Sequence, residues 1–130
     1  MKKNITGVLI DTQNNTVGTV TLDGTLEGYY TALHCSCIDI VSRSIGKIQK
    51  YFEIVCDDEG LFSEAPQVSA VDRTLKPMLV GSLFIAKMDE EDGELKSLTE
   101  AEQDLVLEYV RAAWLPGRDD PIPVRCQVGY

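Results

Sequence analysis

Apolar and polar positions alternate along short segments of the chain, which is the pattern of β-strands. Ile5 to Ile10 and Thr16 to Leu22 are rich in valine, isoleucine, leucine and threonine, and the polar cluster from Asp11 to Asn15 separates them. Asparagine tolerates the left-handed backbone of tight turns. The two segments are therefore predicted to form a β-hairpin.

Further strands are predicted later in the chain. Cys37 to Val41 and Ile48 to Cys56 have strand composition, and a short strand around Val68 to Val71 falls inside a long connection. Met78 to Met88 has almost no polar position, which is typical of a strand covered on both faces. This segment is the predicted central strand.

Two segments have helical spacing instead. Thr25 to Leu33 carries apolar residues at helical offsets and predicts a short helix. A second helix begins where the side chains of Thr99 and Glu102 can each bond the backbone N–H of the other, and Pro116 ends it. Its apolar stripe consists of Leu105, Val106, Tyr109, Val110, Ala113 and Trp114.

These elements predict an α+β fold. We expect a mostly antiparallel sheet of five or six strands, with one face covered by the C-terminal amphipathic helix and the shorter helix. The 130 residues suit one core, so residues 1–115 are predicted to be a single domain. Residues 116–130 form a C-terminal tail, which is expected to supply an edge strand or an arm that reaches a second subunit in a homodimer.

Composition narrows the class of protein. With 44% apolar and 25% charged residues the chain is an ordinary globular protein. The apolar run near the N-terminus is too short for a signal peptide, and no stretch approaches the length of a membrane span. A cytoplasmic location is therefore expected, where cysteines stay reduced.

The charge is strongly negative and unevenly distributed. Twenty-one acidic and 12 basic residues give a net charge of -9, which argues against direct binding to nucleic acid. The segment from Lys87 to Glu108 holds nine acidic residues against two lysines. We expect its carboxylates to form an acidic face that attracts a protein with a basic surface. The residues of this face are Asp89, Glu90, Glu91, Asp92, Glu100, Asp104 and Glu108.

The cysteines raise the alternative of a metal site. His34, Cys35, Cys37 and Cys56 are the candidate zinc ligands, since histidine and cysteine are the ligands zinc prefers. Structural zinc sites usually begin with ligands two to four residues apart on a tight turn, whereas one residue separates Cys35 from Cys37. We expect buried thiols that pack as small apolar groups, with no metal and no cofactor.

Few signs of catalysis are present. The chain has one histidine, and His34 next to Cys35 is badly placed to activate that thiol. The sequence contains no phosphate-binding loop, no dinucleotide fingerprint and no nucleophile elbow. The protein is therefore predicted not to be an enzyme.

Four segments in this order resemble a family of small uncharacterised domains, a domain of unknown function found in phages, plasmids and Gram-positive gut bacteria. They are Asp23 to Glu27, Ile54 to Leu61, Leu79 to Ile85 and Leu98 to Glu100. The resemblance covers roughly residues 5 to 112 and implies the fold and a mobile-element setting. It implies no chemistry.

The resulting hypothesis is a non-catalytic accessory or interaction protein of a mobile element. It would either inhibit a host protein through the acidic face or sequester a small signal molecule. The alternative is a small ligand- or metal-binding module that uses the neighbourhood of Cys35 and Cys37.

Overall fold

The computed structural model describes residues 4–11, 14, 16–45, 51–58, 68–71, 77–91, 93–111 and 124–127. Within these residues the chain forms nine strands and two helices. The strands are β1 (Ile5–Asp11), β2 (Thr16–Leu22), β3 (Ile38–Ile45), β4 (Tyr51–Asp57), β5 (Val68–Val71), β6 (Pro77–Val80), β7 (Leu83–Met88), β8 (Leu95–Lys96) and β9 (Val124–Gln127). The helices are α1 (Leu26–Leu33) and α2 (Glu100–Arg111).

The strands form one sheet in the order β2, β1, β7, β4, β3, β9, β5, β6, and β8 pairs with β7. The first six strands of this order are joined by antiparallel pairs. The parallel pairing of β5 with β9 is the exception among the described strands. The predicted α+β fold with a mostly antiparallel sheet is confirmed.

β7 is the central strand of the apolar core. It lies between β1 and β4, and the four residues from Leu83 to Ala86 are completely buried. The predicted segment Met78 to Met88 is nevertheless two strands, because the chain turns at Gly81 with a φ of +77°, a backbone that favours glycine. The part before this turn forms β6 and pairs with β5.

The two helices lie on opposite faces of the sheet. The cluster on the α2 side joins helix residues Val106 and Val110 to strand residues Val8, Ile10, Ile45, Phe52, Ile54, Cys56, Leu83 and Ile85. The cluster on the α1 side joins Tyr29 and Leu33 to Ile5, Val55, Phe84 and Ala86. The expectation that both helices cover one face does not hold, because neighbouring residues of a strand point to opposite faces and both sets are apolar here.

α1 begins at an N-cap formed by Thr25, which Asp23 supports. Thr25 Oγ1 accepts a hydrogen bond from Gly28 N at 3.1 Å, and Asp23 Oδ1 accepts from Thr25 N at 3.0 Å and from Thr25 Oγ1 at 2.7 Å. These bonds satisfy backbone donors that the first turn of a helix leaves open. The short helix predicted here is confirmed.

α2 begins at the predicted capping box. Thr99 N donates to Glu102 Oε1 at 2.9 Å, and Glu102 N donates to Thr99 Oγ1 at 3.2 Å. Both hydrogen bonds hold the first turn, as the spacing of the two residues predicts.

The buried face of α2 differs in part from the predicted stripe. Val106 and Val110 are completely buried, and Tyr109 packs against them from the edge. Leu105 is 36% exposed, because the buried row of α2 runs through Glu102, Val106 and Val110, and Leu105 lies beside this row. Ala113 and Trp114 of the predicted stripe lie outside the described residues.

The tail contributes β9, which is not an edge strand. It pairs with β3 on one side, where Ile45 faces Cys126, and with β5 on the other, where Ala70 faces Val124. The division into residues 1–115 and 116–130 stays a prediction.

Within the described part of the chain, neither helix is long and apolar enough to cross a membrane.

Candidate functional site

Part of the predicted acidic face forms the turn between β7 and β8. Asp89 Oδ1 accepts a hydrogen bond from Glu91 N at 2.9 Å, and Asp89 O accepts from Gly93 N at 2.8 Å. These bonds shape the turn, and the side chains of Glu90 and Glu91 are exposed. Asp92 lies outside the described residues.

The rest of the predicted face lies on α2. Glu100, Asp104 and Glu108 are exposed, on the side of the helix opposite the buried valines. The carboxylates of the turn lie elsewhere, near the buried Glu102 in the first turn of α2. The structure thus separates the predicted acidic face into an outer helix surface and a group around the turn.

The group around the turn lines an open groove of about 850 Å³ at the start of β4 and the end of β7. We call it the acidic groove. Its described lining residues are Tyr51, Glu53, Lys87, Met88, Asp89, Glu90, Glu91, Lys96 and Glu102. Glu53 faces the α1 side, opposite Ala86, whereas Glu102 comes from α2. The groove therefore passes round the end of the sheet.

The acidic groove carries an excess of negative charge. Five carboxylates line it against two ammonium groups. One of these ammonium groups is already neutralised, because Lys87 Nζ lies 2.7 Å from Glu102 Oε1. The remaining groups are three turn carboxylates, Glu53 and Lys96, so the groove suits a positively charged group.

Glu53 is a carboxylate held in the wall of the groove. It is 8% exposed, and its Oε1 accepts a hydrogen bond from Ser42 Oγ at 2.7 Å. Beside it stand Tyr51 and Met88, which are 53% and 44% exposed. The groove thus combines a largely buried negative charge with apolar surface that remains in contact with water.

Sequence reasoning missed Tyr51 and Glu53 as site residues. They lie more than thirty residues before the turn carboxylates, and only the pairing of β4 with β7 brings them together. Their one local signal was the polar Glu53 within an otherwise apolar strand.

The candidate zinc ligands do not converge. Cys35 packs against the α1-side cluster, whereas Cys56 belongs to the α2-side cluster, so the sheet separates them. His34 Nε2 lies 3.2 Å from Asp11 Oδ2 instead. Among the described residues no group of three or more histidine, cysteine, aspartate and glutamate side chains is arranged to hold a metal ion.

The thiols of Cys35 and Cys56 are held in their neutral form. Burial, with nearby carboxylates such as Asp39, raises the pKa of Cys56 to about 11, and its Sγ donates to Asp39 O at 3.5 Å. Burial and the carboxylate of Asp57 raise the pKa of Cys35. Thiolates are the form that bind metal and attack electrophiles, so this environment favours neither role.

The contact of His34 with Asp11 was not predicted. His34 follows α1 with a left-handed φ of +56°. Asp11 is buried and also accepts hydrogen bonds from Asn14 N at 3.1 Å and from Asn14 Nδ2 at 2.8 Å. Burial raises the pKa of Asp11, but the bonds from Asn14 and His34 outweigh it and lower the pKa below its usual value. The pair ties the end of α1 to the β1–β2 turn.

Comparison with protein families identifies residues 5–111 as a match to "Domain of unknown function (DUF3846)". The chain belongs to this family. The DUF3846 span begins with β1 and ends with α2, so it contains every described lining residue of the acidic groove and leaves out β9. The predicted resemblance to a small domain of unknown function is confirmed over residues 5–111, whereas its occurrence in phages, plasmids and gut bacteria stays a prediction. Comparisons with the curated proteins and with the solved structures find no match.

Proposed function

We propose that this DUF3846 protein is a non-catalytic interaction protein that holds a basic segment of another protein in the acidic groove. One observation carries the proposal. The groove presents five carboxylates against two lysines, and exposed Tyr51 and Met88 stand beside them. A binding surface of this kind needs charge for attraction and apolar area for contact.

The electrostatics of the groove favour an incoming cation. Lys87 and Glu102 neutralise each other at 2.7 Å, which leaves the turn carboxylates and Glu53 in excess. A largely buried carboxylate such as Glu53 has lost much of its hydration, and an arginine or lysine can replace the lost interactions with water.

The apolar residues favour a basic side chain over a simple ion. Tyr51 offers an aromatic face and Met88 a flexible apolar surface beside the carboxylates. Arginine and lysine have apolar stems that pack on such surfaces while their charged ends reach an acid. This combination supports a protein segment as the occupant.

We further propose that the protein is an accessory protein of a phage or plasmid and that it acts in the cytoplasm. It would inhibit a host protein by covering a basic surface, such as one that binds nucleic acid. The family resemblance supports the setting, and the charge of the groove supports the kind of target. The separation of Cys35 from Cys56 favours this function over a metal-binding module.

The test compares two charge reversals that alter the net charge equally. Glu90→Lys with Glu91→Lys changes the groove, and Asp104→Lys with Glu108→Lys changes the outer surface of α2. A fluorescently labelled nona-arginine peptide is titrated into each protein at low salt. We expect the groove variant to weaken binding at least about tenfold and the α2 variant less than about threefold.

Two results would contradict the proposal. Equal losses in both variants would mean that the peptide responds to overall charge alone, and a larger loss in the α2 variant would place the docking surface on the outer side of that helix. Circular dichroism spectra of both variants serve as the control for folding.

A further inference from the structure

The helix α1 covers only part of the sheet face on its side. It packs over β1, β7 and the middle of β4 through Tyr29 and Leu33. Among the described residues five large apolar side chains remain exposed, and three of them lie on this face of the sheet. These three are Ile40 on β3, Tyr51 on β4 and Met88 on β7.

The register of the strands brings these three side chains to the same face. Ile40 lies opposite Val55, which belongs to the cluster beneath α1. Tyr51 precedes Val55 by four positions on β4, and Met88 follows Ala86 of the same cluster by two positions on β7. Alternate residues of a strand point to one side, so all three side chains point to the α1 side.

An open cavity of about 540 Å³ lies beside Met88, between the start of α1 and the β7–β8 hairpin. Its apolar walls are Ile5, Tyr29, Ile40, Met88 and Leu95. Ile40 and Met88 are 43% and 44% exposed, so an apolar side chain placed in the cavity would remove apolar surface from water on both partners.

The polar side chains that line the cavity interact within the chain. Asp23 Oδ1 accepts hydrogen bonds from Thr25 N and Thr25 Oγ1 in the N-cap of α1. Glu94 also has contacts within the chain, and its backbone oxygen accepts a hydrogen bond from Asp89 N at 2.7 Å. The cavity therefore offers apolar walls to a partner, whereas the acidic groove offers charge.

We propose that the partner segment held in the acidic groove carries a large aliphatic or aromatic residue next to its basic residues, and that this apolar side chain occupies the cavity. This assignment rests on the proposed function, because the segment has to pass over Met88 from the groove to the cavity. Met88 is the one described residue that lines both. Charge complementarity holds the basic residues in the groove, and burial of apolar surface holds the anchor beside them.

The test uses heptapeptides that differ in one side chain. Each has three arginines on either side of a central serine, alanine or leucine, and each is titrated into the whole chain at low salt by fluorescence anisotropy. We expect the leucine peptide to bind at least about tenfold more tightly than the serine peptide, because leucine buries more apolar area at the same net charge. The alanine peptide should lie between them.

Ile40→Thr removes part of the cavity wall and keeps a β-branched side chain on β3. It should weaken the leucine peptide at least about fivefold and leave the serine peptide within about twofold, because only the leucine uses the cavity. Leu105→Gln is the matched control, since Leu105 is also exposed but lies on α2 and lines neither the cavity nor the acidic groove. It should alter neither affinity.

Three results would contradict the apolar anchor. Equal affinities of the leucine and serine peptides would overturn it and leave the proposed function standing. Equal effects of Ile40→Thr and Leu105→Gln on the leucine peptide would also overturn it, because the contact would then lie outside the cavity. Binding of none of the peptides would overturn both the anchor and the proposed function.

Discussion

Glu102 Oε1 accepts two hydrogen bonds, one from Lys87 Nζ at 2.7 Å and one from Thr99 N at 2.9 Å. The side chains of Lys87 and Glu102 are 24% and 11% exposed, so the pair is largely shielded from water. The same carboxylate therefore caps α2 and ties its first turn to the end of β7.

Glu102→Ala is expected to lower the free energy of unfolding by about 1–3 kcal/mol, because it removes the cap and leaves Lys87 partly buried without its partner. Urea denaturation followed by circular dichroism measures the change. Glu100→Ala in the same turn is the control, since Glu100 is exposed, and it should cost about 0.5 kcal/mol or less. Equal losses would show that the contact with Lys87 contributes nothing.

Gly7 is predicted to be irreplaceable in β1. A Cβ atom there would overlap the backbone oxygen of Ile85 and lie 2.9 Å from Phe84 Cζ. Gly7→Ala should therefore destabilise the protein by about 3 kcal/mol or more, because a backbone atom of the central strand cannot move aside cheaply.

Gly18→Ala is the matched control in the neighbouring strand. A Cβ atom at Gly18 meets nothing within 4 Å, so this variant should be neutral or more stable by up to about 1 kcal/mol. Thermal unfolding compares the two variants. A Gly7→Ala protein as stable as Gly18→Ala would contradict the close approach of β1 to β7.

The low pKa of Asp11 predicts a loss of stability in acid. The folded state binds the proton more weakly than the unfolded state, whose carboxyl has the usual pKa of 3.8. The contribution is therefore complete above pH 3.8 and is lost as the pH falls through the lower pKa of the folded state.

The free energy of unfolding, measured from pH 2 to pH 6, should fall less steeply in acid for Asp11→Asn than for the unaltered protein. His34→Gln should have a smaller effect, because Asn14 still donates two hydrogen bonds to Asp11. Parallel curves for Asp11→Asn and the unaltered protein would count against this role.

Cys56 is predicted to resist alkylation in the folded protein. With its pKa raised to about 11 by burial, the thiolate is scarce at pH 8. Iodoacetamide at that pH should label Cys56 at least about a hundredfold more slowly in buffer than in urea, as measured by peptide mass spectrometry. Equal labelling rates in the two conditions would disprove the buried environment.

The elements that the sequence predicted are those with strong local signals. The hairpin of β1 and β2, the short helix that follows Thr25 and the capping box of Thr99 depend on residues within a few positions of each other. The exposure of Leu105 could not be foreseen, because the sequence favours the apolar Leu105 over Glu102 as a buried residue and does not show that Glu102 contacts Lys87 on another element.

The candidate sites were predicted only in part. Charge counting found the turn carboxylates, but not Glu53 or Tyr51, which the register of β4 against β7 places beside them.

The order of residues by itself determined the α+β class, the capping box of α2 and the concentration of acidic residues after β7. Only the tertiary structure decided that the helices lie on opposite faces, that the acids of α2 and of the turn separate, and that Cys35 and Cys56 lie on opposite sides of the sheet. The physical reason is that local hydrogen bonds and side-chain alternation act over a few residues. The pairing of distant strands decides which side chains meet.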